Sequence, residues 1–350
     1  MKVLFVPDYR NDNSYQTNLS NSLSKRGATI YFSYGGYFSI IRSVIKHWKP
    51  DILHVHWTRS FMIAENKFMS IIKSTCFICE LLLLKLLKIK IIWTVHNVVD
   101  HEAEFRSIEL LITKFFVKLC DRLIIHCNSV KKLIQTMYGN DLHITVVSHG
   151  NYMELKNDIS LQEARNKLDI KIEDIVFLYF GRIRQYKGLP ELIDAFQKLN
   201  SSQQAKILIV GKPFNDEIAT NIKNSCKDNV QIRNILEFIP DDDIQIYMNA
   251  ADIVVLPFKD ILTSGSIILS MSFGKPIIAP EIGCITDVLD YKGGFLYTGD
   301  GLIEAMQKAI NTDRKILQDM GMYNFRLAER YGWDEIAKRT YDIYHDVLIK

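Results

Sequence analysis

Glycine and proline are scarce in this chain, at 17 and 8 of 350 residues. That excludes a collagen-like, low-complexity or disordered polypeptide. Six cysteines are too few for a disulfide framework. The single C-x-x-C, Cys76 and Cys79, has no second pair and no histidine at ligand spacing, so no metal site is expected. The opening MKVLFVPDYR is too short an apolar run for a signal peptide. The one long apolar stretch, Phe68 to Ile92, is broken by Lys73, Glu80, Lys85, Lys88 and Lys90, which argues against a membrane span. No G-x-G-x-x-G follows a strand, which argues against a nicotinamide enzyme, and the nucleic-acid-binding motifs are missing. No cofactor is expected.

What is present is an ordinary globular composition, 48% hydrophobic and 24% charged, long enough for about two domains. The net charge of +3 conceals an asymmetry. Residues 1–155 carry 19 Lys+Arg against 12 Asp+Glu, a balance of +7; the remaining residues carry 24 against 28, a balance of −4. A basic first half suits an anionic partner such as a phosphate-bearing substrate or a membrane surface.

Short β-branched runs alternate with helical segments. The runs in the first half are 2–6, 28–33, 52–56, 91–96, 122–127 and 144–148, uniformly apolar as strands buried on both faces must be. After a polar connection the pattern restarts at 175–180, 206–210, 230–232, 253–256, 276–279 and 294–297. The expectation is an α/β chain of two Rossmann-like, doubly wound domains facing a cleft, 1–155 and 156–332. The helix 333–350 is expected to pack back on the first. Ligands of such sheets sit beyond the carboxyl ends of the strands.

Gly181-Arg182-Ile183-Arg184-Gln185-Tyr186-Lys187-Gly188 directly follows a strand. It sets a glycine turn and two cations before a helix start, an arrangement suited to a diphosphate. Leu262-Thr263-Ser264-Gly265-Ser266 opens another helix and offers backbone amides to an anion, although Ser264 as a plain N-cap needs no ligand. Asp241-Asp242-Asp243 reads as helix-start acidity rather than a metal site.

Gly181–Phe196, Ala250–Pro257, Ser272–Pro280 and Thr94–Asn97 together resemble the nucleotide-sugar glycosyltransferases of the two-Rossmann GT-B fold. The likeness is to family 4 and its bacterial exopolysaccharide members, some of them β-mannosyltransferases. The resemblance implies that Arg182 and Lys187 hold the donor diphosphate. Gly181, Gly211, Ser264, Gly265, Ser266 and, at the domain junction, His149 are expected around the same donor. There is one departure. The two glutamates that mark the retaining enzymes would fall at Ile261 and Leu269. Their loss points to inversion at the transferred carbon.

In the first half, His96 ends a strand in TVHNVVDHE, and the resemblance gives it a role near the transferred sugar. A buried histidine bonded to a backbone carbonyl is the plain alternative. An inverting transfer needs a base for the acceptor hydroxyl, and His96, Glu102 and Asp8 are the catalytic candidates. Arg10, Tyr15, Asn97 and His101 are the candidates for acceptor binding. His54 and His56 share one strand face, His54 reading as structural and His56 as lining the cleft.

The expected protein is therefore a metal-independent glycosyltransferase of surface-polysaccharide synthesis. It would move a sugar from a nucleotide-diphosphate donor to a glycan or glycolipid acceptor. The Lys-studded run 68–92 suggests a peripheral place on an anionic membrane, on the cytoplasmic side. A nucleotide-sugar epimerase of the same fold, and a catalytically inactive sugar-nucleotide or membrane-binding module, are the alternatives.

Overall fold

The computed structural model describes residues 1–11, 13–36, 38–97, 105–199, 205–227 and 229–349. The chain divides into two compact units, Met1–Gly150 with Tyr331–Lys350, and Asn151–Arg330. The first unit thus closes at Gly150 rather than at 155.

The first unit is built on β1 (Lys2–Val6), β2 (Thr29–Phe32), β3 (Ile52–Val55), β4 (Lys90–Thr94), β5 (Arg122–Ile125) and β6 (Ile144–Val146). They form one parallel sheet in the order β2-β1-β3-β4-β5-β6. β3 is buried along its whole length and β1 after Lys2, which is why these strands read as unbroken apolar runs. Asn13 caps the helix Ser14–Lys25 by accepting from the Tyr15 amide. The final helix Trp333–Ile349 packs against that helix, and Trp333, Ile336, Tyr344 and Val347 join Val3, Phe5, Tyr15 and Leu19 in one core.

The helix Lys67–Leu86 occupies most of the apolar run. Ser70, Ser74, Phe77, Glu80, Leu81 and Leu84 face inward, while Phe68, Ile71, Ile72, Leu82, Leu83 and Leu86 are exposed, Leu86 by 80%. Glu80 accepts from the Ile41 amide. It thereby stands in for the missing side-chain cap of the helix Ser39–Lys46, whose N-cap is Phe38. No helix among the described residues is long and apolar enough to cross a membrane.

The second unit carries β7 (Ile175–Phe180), β8 (Ala205–Val210), β9 (Ile232–Ile235), β10 (Ile253–Val255), β11 (Ile277–Pro280) and β12 (Gly294–Tyr297). They form a parallel sheet in the order β12-β11-β10-β7-β8-β9. The third strand lies later than 230–232, because Val230 is 98% exposed and it is Ile232–Ile235 that pairs with β8. Arg165, fully buried, ties the helix Leu161–Lys167 to this sheet. Its guanidinium donates to Asp252 Oδ2 at 2.7 Å and to the carbonyls of Ala250, Lys171, Ile172 and Asp174. A charge buried in this way stays because its donors are satisfied.

Each sheet changes winding direction once: between β1 and β3 in the first unit, and between β7 and β10 in the second. Open α/β sheets bind ligands at such points, outside the carboxyl ends of the strands.

Candidate functional site

The switch point of the second unit carries the glycine and cation motif. After β7 the chain turns at Gly181 with φ of 127°, and after β8 at Gly211 with φ of 146°. A Cβ on Gly211 would lie 1.9 Å from the Gly181 carbonyl oxygen, so only glycine allows the two turns to touch. A Cβ on Gly181 would meet the Ser266 hydroxyl at 3.1 Å and the Lys187 ammonium at 3.4 Å. The missing side chain therefore leaves a small space bounded by a cation, a hydroxyl and the first turn of the helix Gly265–Ser272. Ser264 caps that helix by accepting from the Ile267 amide, which spends its hydroxyl locally.

Gly188, in the left-handed region, holds the turn Gln185–Lys187 against the Pro257 carbonyl at the end of β10. Lys259 adds a backbone bond to the Tyr186 carbonyl and an ion pair with Glu191. Lys187 is half-buried. Its pKa is lowered to about 8 by burial first, then by the charges of Arg184 and Arg182. The charge of an arriving anion would oppose both effects and raise the pKa. Arg184 lies over the Phe214 ring at 4.2 Å, while Arg182 is exposed. Ile261 and Leu269 are 8% and 7% exposed, and neither side chain can hydrogen-bond a sugar.

The first unit's strand ends carry histidines. His54 and His56 close β3, His96 follows β4, His126 follows β5 and His149 follows β6. His54 is held between Tyr344 Oη at 2.5 Å and Thr94 Oγ1 at 2.7 Å. His96 lies 3.3 Å from His56 and 3.4 Å from His126, ring nitrogen to ring nitrogen, and stacks on Trp57 at 4.4 Å. Tyr15 is the hub, with His56, His96, His126, His149 and Trp333 packed around it. It is thus a core residue rather than an open acceptor wall.

Burial drives the pKa of His54 and of His126 down to about 3 and that of His149 to about 4, and holds His56 and His96 well below the usual value. These imidazoles are neutral at physiological pH. His149 donates from Nδ1 to the Gly150 carbonyl. Asp8 is clamped by Arg10 through Nε and Nη2, both at 2.9 Å, and Arg10 itself lies over Phe32. That pairing lowers the Asp8 pKa and leaves it a weak base. Asn97 is exposed. His101 and Glu102 lie outside the described residues. A cavity of 370 Å³ opens beside Asp8 and Tyr9, walled by Tyr34, Phe61, Lys73 and Glu80.

His126 belongs to no motif in the sequence, whereas Trp333, an aromatic of the closing amphipathic helix, lies in the first unit's core as that pattern suggests. The signal was there for His126: β3, β4, β5 and β6 are each followed or ended by a histidine. Among the described residues no group of three or more His, Cys, Asp or Glu side chains is arranged to hold a metal ion.

Two parallel six-stranded sheets, one with an anion-suited cradle at its switch point, are the architecture of the GT-B fold. Residues 21–151 match the family model for Glycosyltransferase Family 4, and residues 174–312 match that for Glycosyl transferases group 1. Each unit is thus matched by a glycosyltransferase model, and the chain is a glycosyltransferase. It is 25% identical over 294 residues to a GDP-mannose:glycolipid 4-beta-D-mannosyltransferase of Xanthomonas campestris pv. campestris, covering 83% of this chain and 77% of that protein. A D-inositol 3-phosphate glycosyltransferase of Corynebacterium kroppenstedtii is also 25% identical, over 66% of this chain and 54% of its own. Among solved structures, sucrose-phosphate synthase from Thermosynechococcus elongatus superposes with a TM-score of 0.81 at 15% identity, over 99% of both chains. Anabaena HepE in complex with UDP-glucose gives 0.79 at 14% identity, over 99% of this chain and all of that one.

Proposed function

We propose that this glycosyltransferase moves a mannosyl group from GDP-mannose to a hydroxyl of a glycolipid, with inversion, at an anionic membrane surface. The observation that carries the donor half is the space at Gly181, bounded by the Lys187 ammonium, the Ser266 hydroxyl and the helix Gly265–Ser272. As the bond from the anomeric carbon to the diphosphate breaks, negative charge grows on the leaving phosphate. Lys187, Arg182 and the free amides of that helix would stabilise it in place. No metal is needed for that step.

The name of the Xanthomonas relative supports mannose and a glycolipid acceptor. It supports inversion as well, because GDP-mannose is α-linked and that relative makes a β bond. The apolar residues Ile261 and Leu269 agree. In this reading His96 faces the transferred sugar. The acceptor hydroxyl's proton passes to a group of the first unit, and Arg10's hold on Asp8 makes Asp8 the poorest of the three candidates.

The membrane half rests on the exposed apolar face of the helix Lys67–Leu86, on exposed Leu111 and Phe115 of the helix Arg106–Leu119 that packs against it, and on the exposed Lys88, Lys114 and Lys118. The test is product stereochemistry. The purified protein, GDP-mannose and a glycolipid acceptor should yield a β-mannoside by the one-bond C–H coupling at the anomeric carbon. An α-mannoside would overturn inversion, and failure to use any nucleotide sugar would overturn the donor assignment.

A further inference from the structure

The three linked histidines carry more information than their distances. His126 Nδ1 lies 2.9 Å from the Val147 carbonyl oxygen. A carbonyl only accepts, so the neutral His126 ring carries its proton on Nδ1 and offers a lone pair at Nε2. That lone pair faces His96 Nδ1 at 3.4 Å, so His96 too is protonated on Nδ1. Its Nε2 is then an acceptor, met by His56 Nδ1 at 3.3 Å, which must donate. The file ends at His56 Nε2, a lone pair buried in a side chain 1% exposed, with no hydrogen-bond partner among the described residues. One backbone carbonyl thus dictates three tautomers. Ring rotation is blocked for His96 by Trp57 stacked on one face, 13° from parallel, and by Tyr15 edge-on at 4.8 Å.

We propose that His126 is a positioning residue of the transfer site, holding His96 in its Nδ1–H form so that Nε2 of His96, and of His56 beyond it, can only accept hydrogen bonds. The inference rests on the reading that His96 faces the transferred sugar. It deepens that reading by stating the sense of the contact: a sugar hydroxyl donates to His96 Nε2, displacing the long bond from His56. Histidine in water prefers the Nε2–H form, so without His126 the ring would tend to present a donor where an acceptor is needed. A displaced His56 Nδ1–H can follow the same hydroxyl, whose oxygen accepts while its proton is given away.

Nitrogen-15 NMR of the histidine-labelled, substrate-free protein reads the tautomers directly. Nδ1–H signatures are expected for His126, His96 and His56, and an Nε2–H signature for His96 overturns the proposal. His126→Leu should move His96 to the Nε2–H form and cut kcat roughly 10- to 100-fold, the range seen when a metal-bound histidine loses its orienting partner, with little change in donor KM. His126→Gln, which keeps an acceptor near the Nε2 position, should restore most of the loss. If His126→Leu keeps kcat and the His96 tautomer, or if the two variants lose activity equally, the residue is merely structural and the proposal fails. The NMR result does not depend on turnover, so a wrong donor assignment and a wrong tautomer assignment remain distinguishable.

Discussion

The two sheets end in opposite chemistries. Beyond β7, β8 and β10 the second unit sets glycines, a lysine and a helix start around a space that a single Cβ would fill. Beyond β3 to β6 the first unit sets imidazoles, all neutral, packed on Tyr15, Trp57 and Trp333. One edge offers positive charge and amides, which suit phosphate. The other offers uncharged acceptors and donors, which suit hydroxyls. The same parallel topology therefore produced a charged edge and an uncharged one. The difference lies in which residues directly follow each strand, since both sheets are equally apolar inside.

The contrast can be broken on the uncharged side by overfilling its core. An added Cβ at Gly150 would come within 2.4 Å of the Trp333 ring. Gly150→Ala should therefore destabilise the first unit by about 1–3 kcal/mol, the usual cost of overpacking, seen as an earlier denaturant midpoint. An unchanged midpoint would mean that Trp333 does not seal the histidine cluster.

On the charged side the sharper handle is pH. The Lys187 pKa of about 8 should rise when a diphosphate binds. A group whose pKa rises on binding takes up protons, so affinity is full below pH 8. It should fall by up to about tenfold per pH unit above that, until the bound-state pKa is reached. Calorimetry in buffers of different ionisation enthalpy should show that uptake near pH 8, and Lys187→Arg should abolish it. Proton uptake undiminished in Lys187→Arg would assign the titration elsewhere.

The smallest effect concerns the surface. Each lysine near an anionic leaflet contributes about 1 kcal/mol, screened by salt. Leu83→Glu with Leu86→Glu should weaken binding to phosphatidylglycerol vesicles at low ionic strength while leaving the fold intact. Equal flotation of wild type and variant would remove that helix face from the membrane reading.

These edges were unequally legible beforehand. The cradle shows in sequence because Gly181, Arg182 and Lys187 lie within seven residues of one another and directly after a strand. The histidine file shows only in part, as a histidine after each of β3 to β6, because its members sit on separate strands. Only the parallel register, with Thr94 opposite Ile124, carries His96 to the level of His126 two residues further on. The helix Lys67–Leu86 hid its inward face for a related reason. Its outward face is also apolar, so no 3.6-residue alternation marks which side is buried. Tyr15 stands beside a polar loop in the sequence, but the Asn13 cap starts the helix there and the ring is buried.

The central claim is that the second unit's cradle holds a nucleoside diphosphate through Lys187. Calorimetric titration of GDP into the wild type and into folded Lys187→Ala tests it most directly. Loss of one charge-assisted contact, worth roughly 1.5–3 kcal/mol, predicts a Kd weakened about 10- to 150-fold in the variant. Equal affinity in the two proteins would contradict the account.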